Sequence, residues 1–580
     1  MTALQSIAGH WLKAGRHRQR GLGSLVYAIL IALVAWVAMA VGAAAEALAP
    51  ADYFRLKERA DSLYLAGDFA AAAPLYAPLT QAHPGNGEQL LRYARCLVET
   101  GDQAKAFGLV VRALEMGFGP EAPTAYRLAQ AMALSGQDEG ALAWLERALG
   151  ADFEDQAAIK SDPAFAGLAE SPRFQSLAGI AQPATTRQAR WNADLDFFLA
   201  EVRRLHAAPG STSGSSSFAA AVDQLKEAVP TLSDVGIAFE IQRLLAMLGD
   251  GHSVLALPPG GSVRLRTLPL EFYQFSDGIF VTDAADHLRP LVGARLDSLA
   301  GQPPMNLLAA LAPYISRDND QGLRWIGPKA LTLADLLVHL GRADDAGEIA
   351  LTVADQEGGR RSLSIAPGES RWRRSLGAPP GPAEAVPLWL RDPEKHYWFE
   401  ALPALDAFYV QVNRVRDAPE ESLADFTGRL KSELSRQERR HLIIDLRHNG
   451  GGNNGLNLPL VRLAIVHEEA SSENRVFVIT GRNTFSAAQN LVNQLERMTE
   501  AVFVGEETSS KPNFTGETTS VELPHSGLRF SVSSLYWQDS SPLDRRPYIP
   551  VDLPVALSSG DYFGNVDPVM AVLSEILRPR

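Results

Sequence analysis

The stretch RVFVITGRNTFSAAQNLVNQLERM, residues 475–498, decides the fold. VFVIT (476–480) is a continuous apolar run of strand length, the pattern of a strand buried on both faces. AAQNLVNQLERM (487–498) carries helical periodicity. Ser486 therefore stands where a strand turns into a helix. A serine there is either a helix cap, a role open equally to Asn483 and Thr484, or a nucleophile.

Working outward, the same alternation recurs. HLIIDL (441–446) and VFVGEE (502–507) read as further buried strands, as do HYWFEAL, AFYVQVN and RFSVSSLYW between 396 and 537. Helices are expected near 420–436, 455–467 and 485–498. Crossovers of this kind make neighbouring strands parallel and put their carboxyl ends on one edge, where open α/β sheets gather their functional groups. RHNGGGNNG (447–455), NTFSAAQN (483–490) and TSSKPNF (508–514) follow three such ends and are expected to converge.

Each of the three loops brings a chemical capacity. Gly450-Gly451-Gly452 lets backbone N–H groups turn toward a ligand, as an oxyanion site requires. No G-K-[ST] follows them, which argues against a phosphate loop; a plain tight turn is the other reading. The N–H of Ala487, at a helix start, is a second donor for negative charge. Lys511 could serve Ser486 as a base if burial kept it neutral; otherwise it is a solvated charge. Far upstream, AMLGDGHSVL (246–255) presents His252, and histidine is the commonest general base. Asp544, in SPLDRRPYIP (541–550), could orient that histidine as the third member of a triad.

The rest of the chain bounds these readings. At 580 residues it exceeds one hydrophobic core, so two to four domains are expected. A net charge of −13 argues against a nucleic-acid partner. A single cysteine, Cys96, excludes an intramolecular disulfide and a multi-cysteine metal site. At the N-terminus, basic KAGRHRQR (13–20) precedes an uncharged run from Gly21 to Ala45 that is long enough to span a bilayer. This is the pattern of a signal peptide or signal anchor over 1–45, with the remainder periplasmic or secreted. Membrane association is then expected only if that segment stays uncleaved.

Residues 52–152 repeat. Gly67, Gly101 and Gly136 align at spacings of 34 and 35 residues, each followed by a small residue (Ala72, Ala106, Ala141) and a larger apolar one (Tyr76, Val110, Leu145). The pattern resembles the tetratricopeptide repeat, a helix–turn–helix solenoid unit, and implies a protein partner docked on the repeats. Residues 153–185 read as cap and linker, and 186–257 as a helical segment broken by a flexible GSTSGSSS loop (210–217). Residues 262–368 read as a mixed α/β, PDZ-like module with a strand–turn–helix at 291–311. Residues 369–395 read as a proline-bearing linker and 396–575 as the α/β core.

The combination of IIDLRHNGGG (443–452), TFSAAQN (484–490) and VGEETSSK (504–511), with DGHSVL (250–255) upstream, resembles the tail-specific, or C-terminal processing, serine protease family. Tricorn and the interphotoreceptor retinoid-binding protein are relatives within it. The resemblance implies a crotonase-like (ClpP-like) core, a polypeptide substrate and no metal or organic cofactor. It matches Ser486 to the nucleophile, and Gly451 and Ala487 to the oxyanion hole. For the base, processing proteases supply a lysine at the position of Lys511, in the pattern F-G-K-G-x-x-Q; here Ser509-Ser510-Lys511-Pro512 replaces its flanks. Tricorn-like members use an upstream histidine and a downstream acid, which correspond to His252 and Asp544 and are favoured by that departure. The expectation is an extracytoplasmic serine endopeptidase acting through an acyl-enzyme. A non-catalytic peptide- or ligand-binding protein on the same fold is the alternative, and a crotonase-like thioester enzyme is a third.

Overall fold

The computed structural model describes residues 49–150, 153, 156–180, 184–207, 212–256, 265–344, 347–355, 357–368, 371–373, 375–382 and 385–578. The chain divides between Glu170 and Ser171 into two compact units. The expected signal segment over 1–45 lies outside the described residues, among which no helix is long and apolar enough to cross a membrane.

The first unit is built of helix pairs. They are α1 (Pro50–Leu65) with α2 (Phe69–Ala82), α3 (Gly87–Thr100) with α4 (Gln103–Glu115), and α5 (Ala122–Leu134) with α6 (Asp138–Gly150). Gly67, Gly101 and Gly136 make the intra-pair turns at φ +76°, +95° and +71°, a left-handed conformation that costs glycine little. Asp68 and Asp102 then cap α2 and α4 by accepting from Ala71 and Lys105 N–H. Ala72, Ala106 and Ala141, with Tyr76, Val110 and Leu145, are all 0% exposed, so the aligned positions are the inter-helix seam.

In the second unit, a short helix over Pro172–Leu177 is followed by α7 (Arg187–Leu205), α8 (Ser216–Ala228), α9 (Asp234–Ala246) and strand β1 (Val254–Ala256). Of the expected flexible loop at 210–217, the described residues 212–217 are structured by their own serines. Residues 212–214 form a helical turn, and Ser215 caps α8 through Phe218 N–H. A meander follows: β2 (Leu270–Phe275), β3 (Gly278–Ala284), β4 (Arg295–Leu299), β5 (Ile349–Ala354) and β6 (Arg360–Ile365), an antiparallel sheet in sequential order. Helices α10 (Pro304–Leu311) and α11 (Asp320–Ala330) are inserted between β4 and β5, so the strand–turn–helix expected at 291–311 is present.

The last part is a six-stranded sheet of order β14-β11-β10-β9-β8-β7. Its strands are β7 (Tyr397–Leu402), β8 (Ala407–Val412), β9 (His441–Asp445), β10 (Arg475–Thr480), β11 (Val502–Gly505) and β14 (Leu553–Pro554). From β8 to β14 all neighbours are parallel; β7 alone is antiparallel. Helices α12 (Leu423–Gln437), α13 (Leu458–Glu469) and α14 (Ala487–Met498) pack Leu430, Leu460 and Leu491 against one face. Helix α15 (Pro568–Leu577) packs Val569, Leu573 and Leu577 against the other. Coverage on both faces is why the central strands carry unbroken apolar runs, Leu442–Ile444 in β9 and Val476–Ile479 in β10.

RFSVSSLYW belongs elsewhere. As β13 (Arg529–Gln538) it pairs with β12 (Asn513–Glu522) and with β1, Val254 opposite Ser531. That pairing ties the upstream DGHSVL segment to the core.

Candidate active site

The loops after β9, β10 and β11 meet as the topology requires. Thr484 Oγ donates to Leu446 carbonyl (2.9 Å), Asn483 Nδ2 to His448 carbonyl (3.2 Å), and Phe485 N–H to Asn449 carbonyl (3.1 Å). Thr484 and Asn483 thus bind the serine turn to the glycine loop and do not cap α14. From the third loop, Ser510 Oγ accepts the N–H of Ser486 at 3.1 Å.

Ser486 occupies the N-cap position of α14, yet its side chain makes no capping hydrogen bond. Its backbone has φ +57° and ψ −125°, a conformation that L-residues rarely adopt. Holding a serine there costs on the order of 1–3 kcal/mol, a strain found where a side chain must be presented at a sharp strand-to-helix turn. Gly451, at φ +105°, lies against it. A Cβ at Gly451 would stand 2.6 Å from Ser486 Cβ, 3.0 Å from Phe485 O and 3.1 Å from Ala487 N. Only glycine brings a backbone this near the serine.

The amide inventory differs in one respect from the expectation. Gly451 N–H is already donated to Asn449 Oδ1 at 3.0 Å. The N–H groups of Ala487, Gly450 and Gly452 have no acceptor among the described residues. Asn449 therefore holds the loop through its main chain and side chain together, and its Nδ2 is buried without a partner. Asn449 stood inside the glycine motif, but nothing in its spacing marked it as the clamp.

The aspartate and arginine of the IIDLRHN motif play a supporting part. Arg447 bridges Asp445 (2.6 Å) and Asp567 (2.8 Å), the N-cap of α15, and its guanidinium lies 4.6 Å from the centre of the Trp389 ring. The three charges fix the carboxyl end of β9 from beneath. A buried ion cluster of this kind holds geometry more than it adds stability.

His252 is brought beside the serine turn. Its ring stacks on Phe485 (centroids 4.4 Å apart, 27° between planes) and on Phe514 (5.7 Å, 8°). Both ring nitrogens are buried without a hydrogen bond that meets full geometry. Burial pushes its pKa down to about 4, with Asp250 and the Thr515 backbone opposing weakly, so the ring is neutral at ordinary pH. Asp250 organises the turn that carries it: Oδ1 accepts from His252 N–H (2.9 Å), Ser253 N–H (2.7 Å) and Ser533 Oγ (2.8 Å), while Oδ2 meets buried His206 Nε2 at 3.0 Å.

Asp544 is not brought to His252. Its carboxylate accepts from Arg546 and from Ser540 Oγ (2.7 Å), and the Arg546 hydrogen bonds hold its pKa down at about 2. Arg546 in turn pairs with Glu496 at 2.6 Å, so Asp544 anchors the 541–546 turn to α14. A charged neighbour two residues away outcompetes a distant imidazole. Lys511 also points elsewhere: its Nζ donates to Gly249 carbonyl at 3.3 Å and makes no hydrogen bond to Ser486.

A further carboxylate was not legible in the sequence. Asp318, from the segment between α10 and α11, is buried with Oδ1 accepting Gly251 N–H at 2.8 Å and Oδ2 unpaired. Burial raises its pKa to about 7, against the pull of Lys511. Beside it, Asn319 Nδ2 donates to the carbonyls of Thr508 (3.0 Å) and Pro547 (2.6 Å). This segment joins the histidine turn to the third loop through contacts more than 60 residues apart in the chain, which no local pattern announces.

The tetratricopeptide repeat model matches residues 63–122. No curated protein matches the chain. Among solved structures, mature CPAF complexed with lactacystin is similar at 12% identity and TM-score 0.49, over 67% of this chain and 98% of that one. The photosystem II D1 C-terminal processing protease is similar at 14% identity and TM-score 0.35, over 68% and 98%. The tricorn protease is similar at 12% identity and TM-score 0.32, over 68% of this chain and 37% of that one.

Proposed function

We propose that the chain is a serine peptidase that cleaves polypeptides through an acyl-enzyme on Ser486 and works outside the cytoplasm. The observation that carries the reading is the strained, uncapped Ser486, packed against Gly451 with the acceptor-free N–H of Ala487 beside it. Ser486 Oγ attacks the peptide carbonyl and passes its proton to an imidazole nitrogen of His252. The tetrahedral oxyanion takes hydrogen bonds from Ala487 and from the glycine loop, where Gly451 N–H exchanges Asn449 Oδ1 for the substrate oxygen. Collapse expels the amine, which takes the proton back from His252. Water then attacks the ester by the reverse proton path and frees Ser486. His252 is preferred to Lys511 because its ring stacks on Phe485, next to the nucleophile, with both nitrogens unengaged. The location rests on the basic flank and uncharged run at 13–45.

Casein digestion and labelling by a fluorophosphonate probe test the nucleophile. Wild type is expected to show both and Ser486→Ala neither; cleavage surviving in that variant sinks the assignment. The base is read from pH. A base of pKa about 4 keeps kcat/KM high down to that value, so the acid limb is expected near pH 4 and not near 6.5. His252→Ala is expected to lower kcat by about 10²–10⁴-fold and Lys511→Ala by less than about ten-fold.

A further inference from the structure

Beside the serine turn, a cavity of about 420 Å³ opens between the glycine loop and α11. Gly450 and Phe485 form the wall shared with the site, Trp325 and Ile326 an apolar wall, and Arg317 and Lys329 contribute cations. Neither cation forms an ion pair with a carboxylate among the described residues, in a chain of net charge −13. Arg317 spends only Nη1, on the carbonyls of Ala312 (2.6 Å) and Ile315 (3.0 Å). Lys329 Nζ lies 3.9 Å from the centre of the Trp325 ring and donates to Arg373 carbonyl at 2.8 Å. The acid that acts on it is Glu271, which is not among the lining residues and stands 3.7 Å from Arg373.

Two cations on an apolar wall, with no acid lining the cavity, match an anionic group on an aliphatic stem. We infer that this cavity is a specificity subsite of the peptidase and takes an acidic side chain of the polypeptide, its carboxylate on Arg317 and Lys329 and its methylenes on Trp325 and Ile326. The inference rests on the peptidase reading for its meaning but is tested by binding alone. Burial, against the opposing pull of Glu271, holds Lys329 at a pKa of about 8, so it is mostly charged at pH 7 and half neutral by pH 8. Acid selectivity weakens on the same side.

The test uses full-length Ser486→Ala protein on an array of immobilised peptides. Each peptide is present with internal glutamate or with glutamine in its place, and each with a free or an amidated C-terminus. Glutamate peptides are expected to bind about ten-fold tighter than their glutamine partners whatever the C-terminus, the size of a charge-assisted hydrogen bond. In Arg317→Gln/Lys329→Gln the two are expected to bind alike, with glutamine peptides still retained. Equal binding of the pairs, or no peptide retained, overturns the subsite. Retention that depends only on a free C-terminus overturns it too and assigns the cavity to the terminal carboxylate. Cleavage of the same peptides by wild type reports separately on Ser486.

Discussion

At the scale of single residues, the informative quantity is the backbone of Ser486. The sequence left it between a cap and a nucleophile, because both occupy a strand-to-helix turn and neither has a composition of its own. The dihedral separates them: a capping serine sits in the extended region and receives an N–H, whereas Ser486 has φ +57° and receives none. Strain kept at a serine predicts a trade between stability and activity. Ser486→Gly relieves the conformation at the cost of a more flexible unfolded chain, and a net gain of about 1 kcal/mol is expected by urea denaturation, with cleavage abolished. Ser486→Ala keeps the Cβ and should gain nothing from strain relief. If both variants have the stability of wild type, the dihedral stores no strain. His252 was legible as a candidate from DGHS alone. What presents it was not: Phe485 and Phe514 come from two distant loops, and the candidate acid Asp544 is taken by Arg546.

At the scale of elements, periodicity was a reliable guide wherever burial is regular. The repeat glycines and the apolar strands of the large sheet lie where their patterns put them, because one residue type repeats under one constraint. NFTGETTSVE gave no strand signal, yet it is β12; its threonines and serines pair across a hairpin with β13, so the alternation that marks a one-faced strand is muted. Two glycines show how similar dihedrals answer different needs. Gly101 has φ +95° with nothing within 4 Å of an added Cβ, so Gly101→Ala is expected to lose only the backbone term, about 1–2 kcal/mol of the first unit's stability. Gly451 has φ +105° but faces Ser486 Cβ and Phe485 O, so Gly451→Ala adds a clash with backbone and is expected to cost about 2–4 kcal/mol and abolish cleavage. Thermal melts of the two variants check the contrast, and equal losses would mean that the Gly451 contact relaxes freely.

At the scale of the second unit as a whole, buried titratable groups oppose one another. His252 and His448 are both pushed down to about 4 by burial, so between pH 4 and 6.5 the unfolded chain binds protons that the fold refuses. These two make stability rise with pH across that window. Asp318 and Glu271 are both raised by burial to about 7, so the fold keeps protons that the unfolded chain has already released. These two make stability fall as pH climbs from about 4 to 7. The histidine and carboxyl contributions therefore largely cancel in wild type. Asp318→Asn removes one carboxyl while retaining an oxygen for Gly251 N–H, so the balance tips toward the histidines. Below pH 4 the variant and wild type should match, since Asp318 is then protonated in both states. Toward pH 7 the variant should become progressively more stable than wild type, by at most about 1.4 kcal/mol per pH unit, the value of one proton. Urea midpoints at half-unit steps from pH 4 to 7.5 measure the difference directly, and a constant offset between the two proteins would show that Asp318 ionises in the fold as readily as in the unfolded chain.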